Sequence, residues 1–204
     1  MRLFLIRHGQ VEPARIGSFY GGTEVPLSAV GEQEARCAAR YIADQELDYL
    51  VSSPLSRACF GAEQVLRGRQ MDLPWRQDPD FREIDRGDWV GLTPEELEQR
   101  SPGQFKAHHE DPENWREHGG ESLGDLRNRV LSGLIRIRNL GPDKSVALVS
   151  HMFPTRAILA DVLGLDLFAW KSIDIPTASV SLIEFAADDS AKVIYQGHKP
   201  SVEE

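Results

Sequence analysis

Cysteine is scarce in this sequence. Cys37 and Cys59 are the two cysteines in 204 residues, and no CxxC pair occurs. This composition disfavours a cysteine-based zinc site and a disulfide framework. Because both residues lie in alanine-rich, helix-like stretches, the sequence predicts buried free thiols.

Long apolar runs are also missing. No stretch approaches the ~20 apolar residues that are needed to cross a bilayer. Four apolar residues separate Arg2 from Arg7, which is too few for a signal peptide. We therefore expect a cytoplasmic protein with no membrane contact.

The sequence has no excess of positive charge. Lysine and arginine number 23 against 32 acidic residues, which gives a formal net charge of −9. This balance disfavours non-specific nucleic-acid binding but is compatible with a local basic pocket. The hydrophobic content of 41% is typical of a globular protein, and the length predicts one domain over residues 1–204.

The first informative stretch is an apolar run over residues 3–6, followed directly by Arg7, His8 and Gly9. Four consecutive apolar residues predict a strand that is buried on both faces, as in a parallel sheet. His8 then lies just beyond the carboxyl end of the strand, where open α/β sheets bind ligands.

A second strand, over residues 49–51, also leads into a helix. Ser53-Pro54 predicts a helix N-cap followed by proline at the first helical position. Arg57 lies in the first turn and off the apolar stripe of that helix. Backbone N–H groups and the helix dipole favour an anion at this position.

A third strand, over residues 145–149, runs into His151, and we predict that the next helix begins at Pro154. The carboxyl ends of parallel strands emerge at the same edge of a sheet. We therefore expect His8, Arg57 and His151 to converge there.

The order of elements indicates an α/β fold. We predict a three-layer α/β/α sandwich with a mostly parallel central sheet. Residues 178–185 and 192–196 predict a closing hairpin, and residues 92–121 an inserted helical lobe or lid. We expect Phe105 and Trp115 to form the core of this lobe. Residues 11–24 and 101–120 are expected to form the rim of the site.

Phosphate is the ligand that best suits the expected convergence. Arg7 and Arg57 supply guanidinium groups that bind phosphate oxygens in a bidentate manner. Positive neighbours lower the pKa of His8, which keeps its ring neutral and nucleophilic. His151 is expected to stay protonated and to stabilise charge on a transferring phosphoryl group.

A leaving alkoxide also needs a proton. Glu83, Asp85 and Asp88 lie close together beside glycine and tryptophan, and spacing leaves all three open as the general acid. Three further histidines, His108, His109 and His118, lie among acidic residues. For these we favour a solvated surface over a metal site.

Six blocks along the chain match one ordered pattern. They are Arg7–Gln10, Gly22–Ser28 with Gly31, Ser52–Ala58, Phe81–Gly91, Gly119–Ser122 and Val149–His151. The blocks resemble the signature of the histidine phosphatase (phosphoglycerate mutase-like) superfamily. The sequence departs from that signature after the second histidine, where Met152-Phe153 replace the usual small residues.

The resemblance implies phosphoryl transfer in two steps through a phosphohistidine on His8. Arg7, Arg57 and His151 would hold the phosphoryl group, and Glu83 would act as proton donor and then as base. The resemblance implies no metal and no organic cofactor. It extends the expected substrate-binding set to Arg7, Gln10, Gly22, Thr23, Arg57, His151 and Met152.

The implied activity is hydrolysis of a small phosphorylated metabolite, because the chain is short for a mutase and the block around Glu83 resembles the phosphatase form. The segment from Phe105 to Ser122 also resembles the α-ribazole phosphatases, so we expect an α-ribazole phosphate-like substrate or a broad specificity. One alternative is phosphoryl transfer of the phosphoglycerate mutase type. A second alternative, of another class, is a phospho-ligand-binding protein without catalysis. A homodimer is compatible with the sequence.

Overall fold

The computed structural model describes residues 1–12, 16–69 and 72–201. Within these residues six strands form one sheet. They are β1 (Arg2–Arg7), β2 (Tyr49–Ser52), β3 (Trp75–Gln77), β4 (Ser145–Ser150), β5 (Val180–Phe185) and β6 (Ala191–His198). The strand order is β3-β2-β4-β1-β5-β6. The four strands β3, β2, β4 and β1 are parallel to one another. Strand β5 is antiparallel to β1 and pairs with β6 as a hairpin, so the predicted mostly parallel sheet and closing hairpin are confirmed.

Helices cover both faces of this sheet. The described residues contain α1 (Ala29–Tyr41), α2 (Ser56–Arg67), α3 (Pro94–Arg100), α4 (Gln104–Glu110), α5 (Leu123–Arg138) and α6 (Met152–Leu163). Helix α1 packs with α2, and α5 packs with α6. The two pairs lie on opposite faces of the sheet. This arrangement is the three-layer α/β/α sandwich that the sequence predicts.

Strand β1 shows why its apolar run is continuous. Leu3 and Leu5 belong to the core beneath α5 and α6, whereas Phe4 and Ile6 belong to the core beneath α1 and α2. Successive side chains of a strand point to opposite faces, so a strand covered on both sides needs an apolar residue at every position.

Two predicted helix starts are wrong. Helix α2 begins at Ser56 and α6 at Met152, with His151 itself in the N-cap position. The Ser53 hydroxyl, expected to cap α2, accepts from the Leu55 N–H at 3.3 Å and lies 2.7 Å from His151 Nε2. Pro154 lies within the first turn of α6, where its missing N–H leaves no helical hydrogen bond unmade.

The lobe that precedes α5 in the chain has a small core of its own. Trp89, Leu97 and Trp115 are buried together, and Phe105 packs against them. The predicted core role of Phe105 and Trp115 is confirmed. None of the described helices is long and apolar enough to cross a membrane.

The expectation of a solvated surface is wrong for two of the three lobe histidines. His108 and His118 are buried against Trp89, whereas His109 is exposed. Of their acidic neighbours in the sequence, Glu110 and Asp111 are exposed, and Glu113 pairs with Arg127. Both cysteines are free thiols as predicted, but Cys59 is half-buried rather than buried.

Buried His108 is expected to make the fold sensitive to acid. Both of its ring nitrogens lack a hydrogen-bond partner in the described part of the chain, and burial lowers its pKa to about 3. The unfolded chain binds a proton below pH 6.5 and the folded one does not, so stability is lost as pH falls from 6.5. Relative to His108→Leu, the free energy of unfolding of the wild-type protein should fall by about 1 to 2 kcal/mol between pH 7.5 and pH 5.

Urea unfolding at the two pH values measures this difference. His109→Leu is the matched control, because the exposed neighbour should leave the pH dependence of the unfolding free energy unchanged. An identical pH dependence in wild type and His108→Leu would contradict the assignment.

Candidate active site

The carboxyl ends of β1, β2 and β4 meet at one edge of the sheet. Arg7 pairs with Ser150 across β1 and β4, so His8 and His151 follow on neighbouring strand ends. The His8 N–H donates to the Ser150 carbonyl at 3.0 Å. The two imidazole centroids lie 5.0 Å apart in an edge-to-face arrangement. The convergence of both histidines is therefore as predicted.

His8 is buried and held in one tautomer. Its Nδ1 lies 2.7 Å from the Gly9 carbonyl oxygen. Because a carbonyl only accepts hydrogen bonds, Nδ1 carries the proton and Nε2 keeps its lone pair. Burial, and then the charges of Arg57 and Arg7, hold the pKa of His8 well below its usual value. The ring is thus neutral at pH 7 and able to act as a nucleophile.

His151 is completely buried beside it. Its Nε2 lies 2.7 Å from the Ser53 hydroxyl, and its Nδ1 has no partner among the described residues. Burial lowers the pKa of His151 well below its usual value, and His8 and Arg57 lower it further. The expectation of a protonated ring is therefore wrong for the free protein. A bound dianion would favour protonation of this ring.

Two arginines line the same edge. Arg57, only 1% exposed, donates to the carbonyls of Thr23 and Gly21 at 2.7 and 2.8 Å. Arg7 donates to the Ile175 carbonyl at 2.6 Å. The Nε atoms of both arginines are buried without a partner in the described ranges. The carbonyls fix both guanidinium groups and leave N–H donors for an anion.

Gly9 allows the loop that carries His8 to lie directly on α1. A Cβ atom at Gly9 would come within 2.0 Å of the Gly31 carbonyl oxygen. A Cβ atom at Gly31 would come within 1.9 Å of the Gln10 carbonyl oxygen. Any side chain at either glycine would therefore push the loop away from the helix and displace His8.

Glu83 differs from the two other candidate acids in its burial. Its Oε1 accepts from the backbone N–H groups of Ile84 at 3.0 Å and Phe153 at 3.3 Å. These contacts place the carboxylate at the start of α6, whose N-cap residue is His151. Asp85 and Asp88 are exposed. The buried position therefore favours Glu83 over Asp85 and Asp88 as the general acid, a choice that sequence spacing left open.

Arg129 of α5 holds the backbone segment that carries Glu83, and the sequence analysis did not predict this role. Its guanidinium binds both carboxylate oxygens of Glu121, at 2.6 and 2.8 Å. It also donates to the carbonyls of Asp80, Arg82 and Glu83. These bonds clamp the backbone on which Glu83 lies. The acceptors are 46 to 49 residues away in the chain, so no local pattern reveals them.

Three of the remaining predicted binding residues lie beside the convergence. The Thr23 carbonyl accepts from Arg57, and the Gly22 carbonyl accepts from Arg82 at 3.0 Å. Met152 is the first residue of α6, directly after His151, and is half-buried. The loop of residues 21–23 thus packs over Arg57.

Gln10, which the resemblance adds to the substrate-binding set, lies against the start of α1. Its side chain is exposed, and its Oε1 accepts from the Ser28 hydroxyl at 2.9 Å. Its backbone N–H donates to Glu34 at 2.8 Å. These contacts tie Gln10 to α1 rather than to the two histidines.

The predicted rim segments border a common cavity of about 310 Å³. Phe19 comes from the first segment, and Phe105 and Pro112 come from the lobe. Residues 13–15, within the expected rim, lie outside the described part of the chain. Phe153, which departs from the family signature, also lines this cavity.

The described residues contain no group of three or more His, Cys, Asp or Glu side chains placed to hold a metal ion. His108, His109 and His118 have aromatic neighbours instead.

Known proteins share this architecture over nearly the whole chain. The family model of the Histidine phosphatase superfamily (branch 1) matches residues 3–196. Phosphoserine phosphatase 1 of Hydrogenobacter thermophilus is 32% identical over 183 residues, which are 90% of this chain and 86% of the relative. A glucosyl-3-phosphoglycerate phosphatase of Mycolicibacterium vanbaalenii is 34% identical over 176 residues, 83% of this chain and 77% of the relative.

A solved structure extends the similarity to the fold. The α-ribazole phosphatase of Shigella flexneri superimposes with a TM-score of 0.88 at 25% identity, covering 100% of both chains. The chain therefore belongs to the histidine phosphatase superfamily, branch 1. The family and the phosphatase class that its motifs imply are confirmed.

Proposed function

We propose that the chain hydrolyses phosphate monoesters of small metabolites through a phosphohistidine on His8, without a metal ion. One observation carries the proposal. A neutral, tautomerically fixed imidazole lies edge-on to His151, beside unpartnered N–H donors of Arg7 and Arg57. A nucleophile and a set of anion donors are thus combined at one strand edge.

In the first step, His8 Nε2 attacks the phosphorus atom and the bond to the leaving oxygen breaks. Glu83, in its protonated form, gives its proton to that oxygen. Arg7 and Arg57 stabilise the charge on the phosphoryl oxygens. The Nδ1–H group of His151 donates a further hydrogen bond to one of these oxygens.

In the second step, water attacks the phosphohistidine and the P–N bond breaks. Glu83, now ionised, accepts a proton from that water, and inorganic phosphate leaves. Both His8 and Glu83 regain their starting states, so the cycle needs no redox change and no co-reactant.

The substrate is proposed to be a small phosphorylated metabolite, of the α-ribazole phosphate type or one of a broad range. Relatives named for phosphoserine, glucosyl-3-phosphoglycerate and α-ribazole support a small organic phosphate. The chain is proposed to act as one domain in which residues 92–121 cover the site.

Incubation with p-nitrophenyl phosphate, with and without a second alcohol, tests this function. A hydrolase should release one inorganic phosphate per nitrophenolate, whereas a mutase should transfer the phosphoryl group to an acceptor. The absence of any nitrophenolate would favour a phospho-ligand-binding protein and contradict the proposal.

Chelation should leave this activity in place. Because the proposed steps use only side chains, EDTA at about 5 mM is expected to change kcat/KM by less than about twofold. A loss restored by a divalent cation would contradict the metal-independent mechanism.

A further inference from the structure

Arg86 is a buried arginine without a hydrogen-bonded or ion-paired partner in the described chain. It is 8% exposed. Its guanidinium carbon lies 4.8 Å from the Phe153 ring centroid, 5.7 Å from Phe19 and 6.0 Å from Trp89. Aromatic faces therefore hold the cation in place but satisfy none of its five N–H donors.

This environment is costly for a cation. The other buried arginine of the site, Arg57, differs because it donates to two backbone carbonyls. The carboxylate of Glu83 acts on Arg86 without forming an ion pair with it among the described contacts, so an Arg86 side chain that lines a cavity favours a further anion there. Burial lowers the pKa of Arg86 to about 10, and the charge of Glu83 opposes this shift. The guanidinium therefore stays charged at pH 7.

Arg86 lines the cavity of about 310 Å³ at the rim of the site. The other walls are mostly aromatic or aliphatic, and Arg156 and Lys171 are the further cations that line it. Arg156 already donates from Nε to the Ile173 carbonyl at 3.0 Å, whereas Lys171 is exposed.

The cavity shares Phe153 with the surroundings of Glu83. Phe153 forms part of its wall, and the backbone N–H of the same residue donates to Glu83 Oε1. The leaving oxygen must lie beside Glu83 to receive its proton. The organic part of the substrate that follows this oxygen can then extend into the cavity.

We propose that this cavity is a leaving-group subsite in which Arg86 binds a carboxylate of the substrate. The substrate class is then a phosphate monoester whose alcohol carries a carboxylate on an apolar body. The inference rests on the proposed phosphatase function. A planar carboxylate matches the guanidinium fork and fits between flat aromatic faces.

A matched pair of substrates tests the subsite: 3-carboxyphenyl phosphate and its neutral analogue 3-carbamoylphenyl phosphate. We expect the wild-type protein to favour the carboxylate in kcat/KM. Arg86→Gln should lower the ratio of the two kcat/KM values by about 10- to 100-fold, the loss typical of a charged hydrogen bond. Arg86→Lys, which keeps the charge but not the fork, should give an intermediate ratio.

Lys171→Gln is the matched control, because it removes a positive charge from the rim of the same cavity. Its ratio should stay within about twofold of the wild-type value, and thermal unfolding checks that each variant folds. An unchanged ratio in Arg86→Gln, or an equal fall in Lys171→Gln, would overturn the subsite. If Arg86→Gln fails to fold, Arg86→Lys takes its place. A ratio of the two kcat/KM values in Arg86→Lys equal to that of the wild-type protein would then overturn the subsite. Absence of hydrolysis of both esters by the wild-type protein would instead overturn the phosphatase function.

Discussion

Replacement of His8 by alanine is expected to lower kcat for p-nitrophenyl phosphate on the order of 10⁵-fold. The substitution removes the unprotonated Nε2 of a neutral imidazole on which the charges of Arg57 and Arg7 act. Loss of a nucleophile costs about as much as loss of the whole catalytic set, because the remaining groups then have no covalent step to assist. Steady-state release of nitrophenolate measures the effect.

A matched histidine variant controls for the change of residue type. His198→Ala alters a half-buried side chain of β6 that packs against Tyr41 and should leave kcat within about twofold. Thermal unfolding of His8→Ala must show a folded protein, since His8 packs in the interior. Turnover by folded His8→Ala within tenfold of wild type would remove His8 from the mechanism.

Replacement of Glu83 by glutamine is expected to have an effect that depends on the leaving group. Glutamine keeps an oxygen for the N–H groups of Ile84 and Phe153 but cannot donate a proton as an acid. An alkyl phosphate releases a basic alkoxide, so its kcat/KM should fall about 10²- to 10⁴-fold. Nitrophenolate leaves without a proton, so kcat/KM for p-nitrophenyl phosphate should fall much less.

The neighbouring acids provide the controls for this prediction. Asp85→Asn and Asp88→Asn change exposed carboxylates and should show no dependence on the leaving group. Because kcat/KM reports only the steps up to the first irreversible one, the later use of Glu83 as a base does not enter the comparison. Equal losses for alkyl and aryl esters in Glu83→Gln would contradict its role as the acid.

The convergence of His8 and His151 could be predicted because it follows from strand direction. An apolar run without alternation indicates a strand covered on both faces, and parallel strands end at one edge. The pairing of Arg7 with Ser150 then makes the next residues neighbours. No contact between distant side chains had to be known.

Contacts that depend on distant segments could not be predicted in this way. Ser53-Pro54 has the local pattern of a helix start, but the hydroxyl is used by a histidine 98 residues later. Arg57 lies off the apolar stripe of its helix and is nevertheless buried, because the loop of residues 21–23 covers it. Helical periodicity describes one face of an element and carries no information about loops that pack on another.

The lobe illustrates the same limit for burial. His108 and His118 have charged neighbours in the chain, which made a solvated surface the natural interpretation. In the fold they pack against Trp89 and Trp115. Arg86 was likewise hidden within a family block, and its aromatic surroundings come from segments before and after it.

The central claim is a covalent phosphoryl group on His8, and trapping it is the most direct test. Wild-type protein is mixed with a ³²P-labelled phosphate monoester and denatured in alkali within the first turnovers. The account predicts a label that is stable to base, labile to acid and located on the peptide that contains His8. A label on another residue, or no label during active turnover, would contradict it.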